Sequence, residues 1–280
     1  MNLTLDLVVL ISILTMVVLG LGVILGLMHI VNLAHTGLMA VGVYILLTTT
    51  RMGISFWPGV VLAVIGTALI GAVIEVLIVR KLYGRHIDDT IITTWGIALV
   101  VANLLIWIYG RETFAVSMPI EGGVTIAGVP YSAYRMLLVV IVVVLVAAMA
   151  LLLRFTKVGL MVRMVMGNPA LARAVGINTT KVQRVTFITG AALAGFAGAI
   201  LGPTQAIVPN YALGLLPTAF MAVLMSGRNL PGLVTSCIVL GATQMLFSVY
   251  TNPVLAGVMV IVAAVVVLKI WPQGFVWRRA

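Results

Sequence analysis

The sequence predicts an all-α integral membrane fold: a polytopic helical bundle of about eight to nine spans with broken helices. Three observations carry that prediction. Of the 280 residues, 63% are hydrophobic and only 8% are charged. A soluble domain averages about 25% charged residues, so this chain cannot cover a water-facing surface. Apolar runs recur from Val8 to Trp271, and a run of roughly 20 residues crosses about 30 Å of hydrocarbon. The strand alternation of a barrel is missing, which leaves helices as the way for each segment to satisfy its own backbone in lipid. Residues 1–280 therefore read as a single transmembrane domain.

The apolar segments fall near Leu7–Leu27, Ile30–Thr48, Ser55–Val79, Thr90–Tyr109, Met136–Leu153, Val185–Ile207, Leu213–Met225, Leu233–Tyr250 and Val254–Trp271. The start, Met1 to Leu7, has no Lys or Arg before its apolar core, so the first segment reads as a retained span and not as a cleavable signal. Only Met28 and His29 separate the first two segments, and the second contains Asn32, His35 and Thr36. A full second span gives nine crossings and an outside N-terminus, which is the expectation; a re-entrant second segment is the alternative. The loop Gly110–Tyr134 is the longest on the outside. Its Val124–Val129 stretch suits a short strand or hairpin, and the loop suits either a plain connection or a docking surface.

Charge orients the bundle. Arg80, Lys81 and Arg85 share one loop, and Arg154, Lys157, Arg163, Arg173, Lys181 and Arg184 share an acid-free segment. Three spans after Ile207 bring Arg228, Lys269, Arg278 and Arg279 to the same side. Only Arg51, Arg111 and Arg135 are left outside, so thirteen of the sixteen basic residues and the C-terminus are expected in the cytoplasm. The net charge of +10 belongs to this membrane pattern and not to a nucleic-acid surface. A single cysteine, Cys237, excludes an internal disulfide framework or a thiolate metal cluster.

The segment 154–184 is too polar to insert and too regular to be a slack loop. Asn168 suits an N-cap, Pro169 the first helical position and Gly176 the stop of a short helix. On physical grounds alone, a basic amphipathic helix lying on anionic lipid is as good a reading as a docking element.

Several stretches resemble one family. Arg163, Asn168, Ala172, Gly176, Ile177 and Asn178 match the cytoplasmic loop of permeases of the branched-chain amino acid uptake family. Gly26–Gly37 looks like that family's N-x-A-H-G segment, with Thr36 added before the glycine. Arg80–Arg85 (RKLYGR), Thr93-Thr94-Trp95-Gly96, Val208-Pro209-Asn210 and Trp271–Phe275 are similar to its urea-transport branch. Two departures stand out: Ala170 where members commonly carry Glu, and Ser226 and Asn229 in place of glycines in Ser226–Gly232. The resemblance implies a permease subunit of an ATP-binding-cassette importer for branched-chain amino acids or a related small polar solute, with urea or a short amide as the alternative. It implies a bacterial-type inner membrane, a second permease subunit, two cytoplasmic ATPase subunits and an extracytoplasmic solute-binding protein. It also makes Arg163, Asn168, Pro169, Ala172, Arg173 and Gly176 the expected ATPase-coupling residues. No cofactor is expected in this chain. No G-x-x-x-x-G-K-[ST] occurs, so ATP and Mg belong on the partner subunits.

The span interiors hold neutral polar groups and helix breakers. Asn32, His35, Thr36, Gly37, Thr93, Thr94, Gln205, Asn210 and Ser226 are the candidates for the solute pathway. Breaks at Asn32–Gly37 and Ser226–Gly232 would expose backbone groups to a solute where protein lines a cavity. Interhelical hydrogen bonding is the competing role for buried Asn and His. Glu75, near Arg80 and Lys81, reads as an interfacial side chain snorkelling to water, and Gly195 and Gly198 read as a close helix contact. A secondary transporter or channel would share the hydropathy but would carry intramembrane carboxylates or a charge ring; Asp6, Asp88, Asp89, Glu112 and Glu121 sit in loops or at ends. An enzyme is not expected, because Ser226-Gly227 lacks a G-x-S-x-G context and no metal-ligand spacing occurs.

Overall fold

Each of the nine apolar segments forms a helix in the computed structural model, which describes residues 3–28, 30–126, 128–227 and 229–275. With the two helices of the polar segment 154–184, the α-helices of the described residues are, in chain order, α1 (Leu3–Met28), α2 (His35–Arg51), α3 (Phe56–Leu77), α4 (Ile87–Tyr109), α5 (Ala133–Phe155), α6 (Lys157–Gly167), α7 (Pro169–Ala174), α8 (Thr179–Leu201), α9 (Leu216–Met225), α10 (Leu230–Tyr250) and α11 (Pro253–Ile270). Seven of them (α1, α3, α4, α5, α8, α10 and α11) are long and apolar enough to cross a membrane. The 17-residue α2 and the apolar stretch Tyr211–Met225 are shorter. A hairpin precedes α5: β1 (Gly123–Ile126) pairs antiparallel with β2 (Val129–Ser132), Val124 opposite Tyr131. Met1, His29, Ala127, Arg228, Arg278 and Arg279, used above for the start, the segment boundaries, the hairpin and the orientation, lie outside the described residues.

Asparagine starts four of these helices. Asn168, Asn178, Asn229 and Asn252 each turn a side-chain oxygen onto the first-turn N–H groups of α7, α8, α10 and α11, donors that otherwise lack a partner. Proline at the first or second position of α7, α9, α10 and α11 costs no hydrogen bond there. Asp88 and Asp89 occupy the first turn of α4, where the helix dipole favours them.

The chain divides into two compact units. In the unit made of residues 23–117 and 149–214, α2 is buried over most of its length. Glycine allows this. A Cβ on Gly198 would meet the Met39 carbonyl, one on Gly42 the backbone of Gly195, and one on Gly71 the Ala191 side chain. These contacts bring the backbones of α2 and α8 together and lay α3 against α8, the close approach that small residues permit in membranes. Along α3, Val61, Ile65, Leu69, Val73 and Leu77 form an exposed stripe, while Gly59, Ala63, Thr67, Gly71 and Glu75 form the buried one. In the other unit, made of residues 1–22, 118–148 and 215–280, a Cβ on Gly241 of α10 would lie 2.8 Å from the Ile11 side chain of α1. There Asp6 accepts a hydrogen bond from the Tyr131 hydroxyl at 2.8 Å and pairs with Arg135 at 3.8 Å.

Candidate functional site: the coupling segment and the helix breaks

The segment between α5 and α8 is two helices, not one. Sequence reasoning missed α6, although Thr156 signals it: the Thr156 hydroxyl accepts from Gly159 N–H at 3.1 Å as the N-cap. Gly159 packs under the Leu152 and Leu153 carbonyls where no Cβ fits. Arg163 reaches back from α6 and donates through Nη1 to the Leu153 carbonyl at 2.7 Å, closing the end of α5. After α6 the chain turns at Asn168, whose Oδ1 accepts from Ala170 N–H and Leu171 N–H, both at 3.0 Å.

α7 is closed at its far end by a Schellman motif. Gly176 N–H donates to Arg173 O and Ile177 N–H to Ala172 O, both at 3.0 Å. The motif needs a left-handed residue, and Gly176 has φ of 86°. Two residues later Asn178 caps α8 through Lys181 N–H at 2.9 Å. Pro169, Arg173 and Gly176 are exposed, whereas Ala172 is buried. The large apolar side chains turned outward here are Leu171 on α7 (59% exposed) and Val175 just after it (58%), which the sequence reading did not single out.

The break between α1 and α2 is held by α4. Leu33 N–H donates to Thr94 Oγ1 at 3.1 Å, and the Thr94 hydroxyl lies 2.9 Å from the Val31 carbonyl and 2.7 Å from its own-helix Thr90 carbonyl. One threonine thus satisfies irregular backbone on both sides of Asn32. Asn32 itself is fully buried, and neither polar atom of its amide has a partner among the described residues. His35 and Thr36 are buried as well; the Thr36 hydroxyl donates to Leu33 O at 3.3 Å. Gly37 lies against α4, where a Cβ would be 3.5 Å from Ala98 Cα and 3.4 Å from Val101 Cβ. Thr93 is only half-buried and takes no part in these bonds.

Three sequence readings need correction. Gln205 and Asn210 are not inside a span: both are exposed in the turns after α8, where Ile207 and Phe114 bridge through reciprocal backbone bonds of 3.0 and 2.9 Å. The Ser226–Gly232 break is filled by the segment Trp271–Phe275. Phe275 N–H donates to Met225 O at 2.8 Å, Asn229 Nδ2 donates to Phe275 O at 3.0 Å, and Gly227 adopts φ of 60° beside them. Ser226 is buried and donates to Val223 O at 2.7 Å. Glu75 does not snorkel. Its carboxylate is fully buried, pairing with Arg184 Nε at 3.0 Å and accepting from the Tyr83 hydroxyl at 2.8 Å. Burial first, then the bond to Glu75, pushes the Tyr83 hydroxyl pKa upward, so it remains a donor.

Residues 3–268 match the family described as the branched-chain amino acid transport system permease component. The chain belongs to that family. Its relatives include the high-affinity branched-chain amino acid transport system permease protein LivH of Salmonella typhimurium, 26% identical over 94% of this chain and 91% of that protein. BraD of Pseudomonas aeruginosa, a permease protein of the same kind of system, is 23% identical over 82% of this chain and 80% of its own length. A probable branched-chain amino acid transport permease of Methanocaldococcus jannaschii is 27% identical over 79% and 73%. No solved structure matches. This permease component is thus a multi-pass membrane transport subunit.

Proposed function

We propose that this permease component forms the membrane path of an ATP-driven importer of branched-chain amino acids in a bacterial-type inner membrane, and that α7 docks on a cytoplasmic ATPase subunit. One observation carries the docking reading: a six-residue helix, capped at both ends, presents exposed Leu171 and Arg173, with exposed Val175 at its C-cap. A helix this short gains little from its own hydrogen bonds, so fixing it so firmly suits an element that must keep its shape under load. Arg163 and Ala172 serve the site from behind, one tying α6 to α5 and the other giving α7 its inward face. The acid-free run of basic residues supports a cytoplasmic position for this segment and for the C-terminus. The partners are a second permease subunit, two ATPase subunits that bind ATP and Mg, and an extracytoplasmic solute-binding protein.

The solute reading rests on neutral hydrogen-bonding groups. The Asn32 amide is buried with no partner among the described residues, a cost of about 1–3 kcal/mol that a passing polar group would relieve. Asn32, with His35, Thr36 and Gly37, is therefore proposed to meet the solute or its accompanying water. The likeness of Arg80–Arg85 and Thr93–Gly96 to the urea-transport branch makes urea the competing solute.

The test reconstitutes the complete transporter in proteoliposomes and measures leucine and urea uptake together with ATP hydrolysis. Leu171→Asp places a charge on the proposed contact and should abolish leucine uptake and ATPase co-purification while leaving the permease inserted. Unchanged uptake and an ATPase that stays bound would refute the docking. Urea uptake without leucine uptake would overturn the solute assignment.

A further inference from the structure

Glu75 is an acidic side chain buried within a membrane-spanning helix, and the role of α7 as a contact does not account for it. Stability alone does not explain its use. Well-packed apolar groups in place of a buried ion pair are often neutral or stabilising, whereas removing one partner leaves an uncompensated charge. What Glu75 does is join three pieces of chain. It lies near the end of α3, holds Tyr83 from the turn that follows, and holds Arg184 from the second turn of α8.

That position matters because α8 follows α7 with no slack. The Schellman closure at Gly176 and the Asn178 cap bond the four connecting residues into place. Beyond Arg184, α8 is laid on α2 through Gly195 and Gly198 and on α3 through Ala191. Without a fastening at Arg184, a push on α7 would fray the first turns of α8, the least supported part of a helix. With it, α8 and α3 take the push together at their shared end.

The geometry points to the Glu75–Arg184–Tyr83 cluster as the joint that passes displacement of α7 to the membrane-spanning helices, with Glu75 as a positioning residue. This inference rests on the reading of α7 as the ATPase contact. It predicts a defect in coupling and not in folding, binding or hydrolysis.

The experiment uses the complete transporter in proteoliposomes, with leucine and, in parallel, urea as probes, and reads solute imported per ATP hydrolysed. In Glu75→Gln the amide still accepts from Tyr83 while the Arg184 charge loses its partner. The ratio should fall about tenfold, within the range of coupling between distinct sites. The triple variant Glu75→Leu/Tyr83→Phe/Arg184→Leu removes every polar group of the cluster, so it should assemble normally and still show the lowered ratio. A wild-type ratio in either variant overturns the inference. So does loss of assembled transporter in both, which would make the cluster a folding requirement. Leu171→Asp run alongside separates the two readings: if the ATPase stays bound and import is normal there, the docking reading fails regardless of the result at Glu75.

Discussion

Replacing Asn168 with alanine tests whether the shape of α7 matters to transport. The side chain supplies the acceptor for two N–H groups, Ala170 and Leu171, each at 3.0 Å. Both are near the surface, so water recovers part of the loss. An N-cap-to-alanine change costs about 1 kcal/mol, with an upper range near 2. At roughly 0.6 kcal/mol for RT, a 1 kcal/mol loss lowers the ordered population of α7 relative to its frayed forms about fivefold. Six residues have no helical reserve to absorb that. Leucine-stimulated ATP hydrolysis in proteoliposomes should therefore fall by up to about fivefold, with unchanged membrane insertion, because α7 lies outside the spans. Asn168→Ser keeps a capping oxygen and should restore most of the activity. Wild-type hydrolysis in Asn168→Ala, or a serine variant as impaired as the alanine one, would refute the reasoning.

Thr94→Val removes the hydroxyl that serves Leu33 N–H and faces the Val31 carbonyl; thermal unfolding of the purified permease should show a loss of about 1–3 kcal/mol. Asn32→Leu removes an amide that has no partner among the described residues, so stability should hold or rise while leucine uptake per assembled complex falls; normal uptake would remove Asn32 from the path. Gly198→Ala drives a methyl into the Met39 carbonyl and should cost about 1–3 kcal/mol, read as a lowered melting temperature. In a Cys237→Ser background, Leu160→Cys sits at a residue 53% exposed on α6. An impermeant thiol reagent should label it in inverted vesicles and leave it unlabelled in intact cells; labelling of intact cells would reverse the assigned orientation.

Local rules made the helices and α7 legible, because apolar length, Asn-Pro starts and a terminal glycine act on neighbouring residues. The start of α8 at Thr179 and the whole of α6 lay under a basic, half-polar stretch whose hydropathy hides helix; the caps Thr156 and Asn178 were the available signals. Sequence could not reveal that Trp271–Phe275 fills the Ser226–Gly232 break, since the bond from Asn229 to Phe275 joins residues 46 positions apart. Nor could it reveal that Thr94 supports the break around Asn32, 63 residues from the carbonyl at Val31. Glu75 is different, because its inward position was open to reading. Taken in steps of four, Gly59, Ala63, Thr67, Gly71 and Glu75 form one stripe of small and polar residues, and Val61, Ile65, Leu69, Val73 and Leu77 form an apolar one. In lipid the apolar stripe faces out, so small residues turn toward neighbouring helices. A carboxylate on the small-residue stripe must then find its partner inside the protein, which directs attention away from Arg80 and Lys81 and toward a basic residue on the helix that fills the glycine notches. That helix is α8, and Arg184 is the basic residue it brings there.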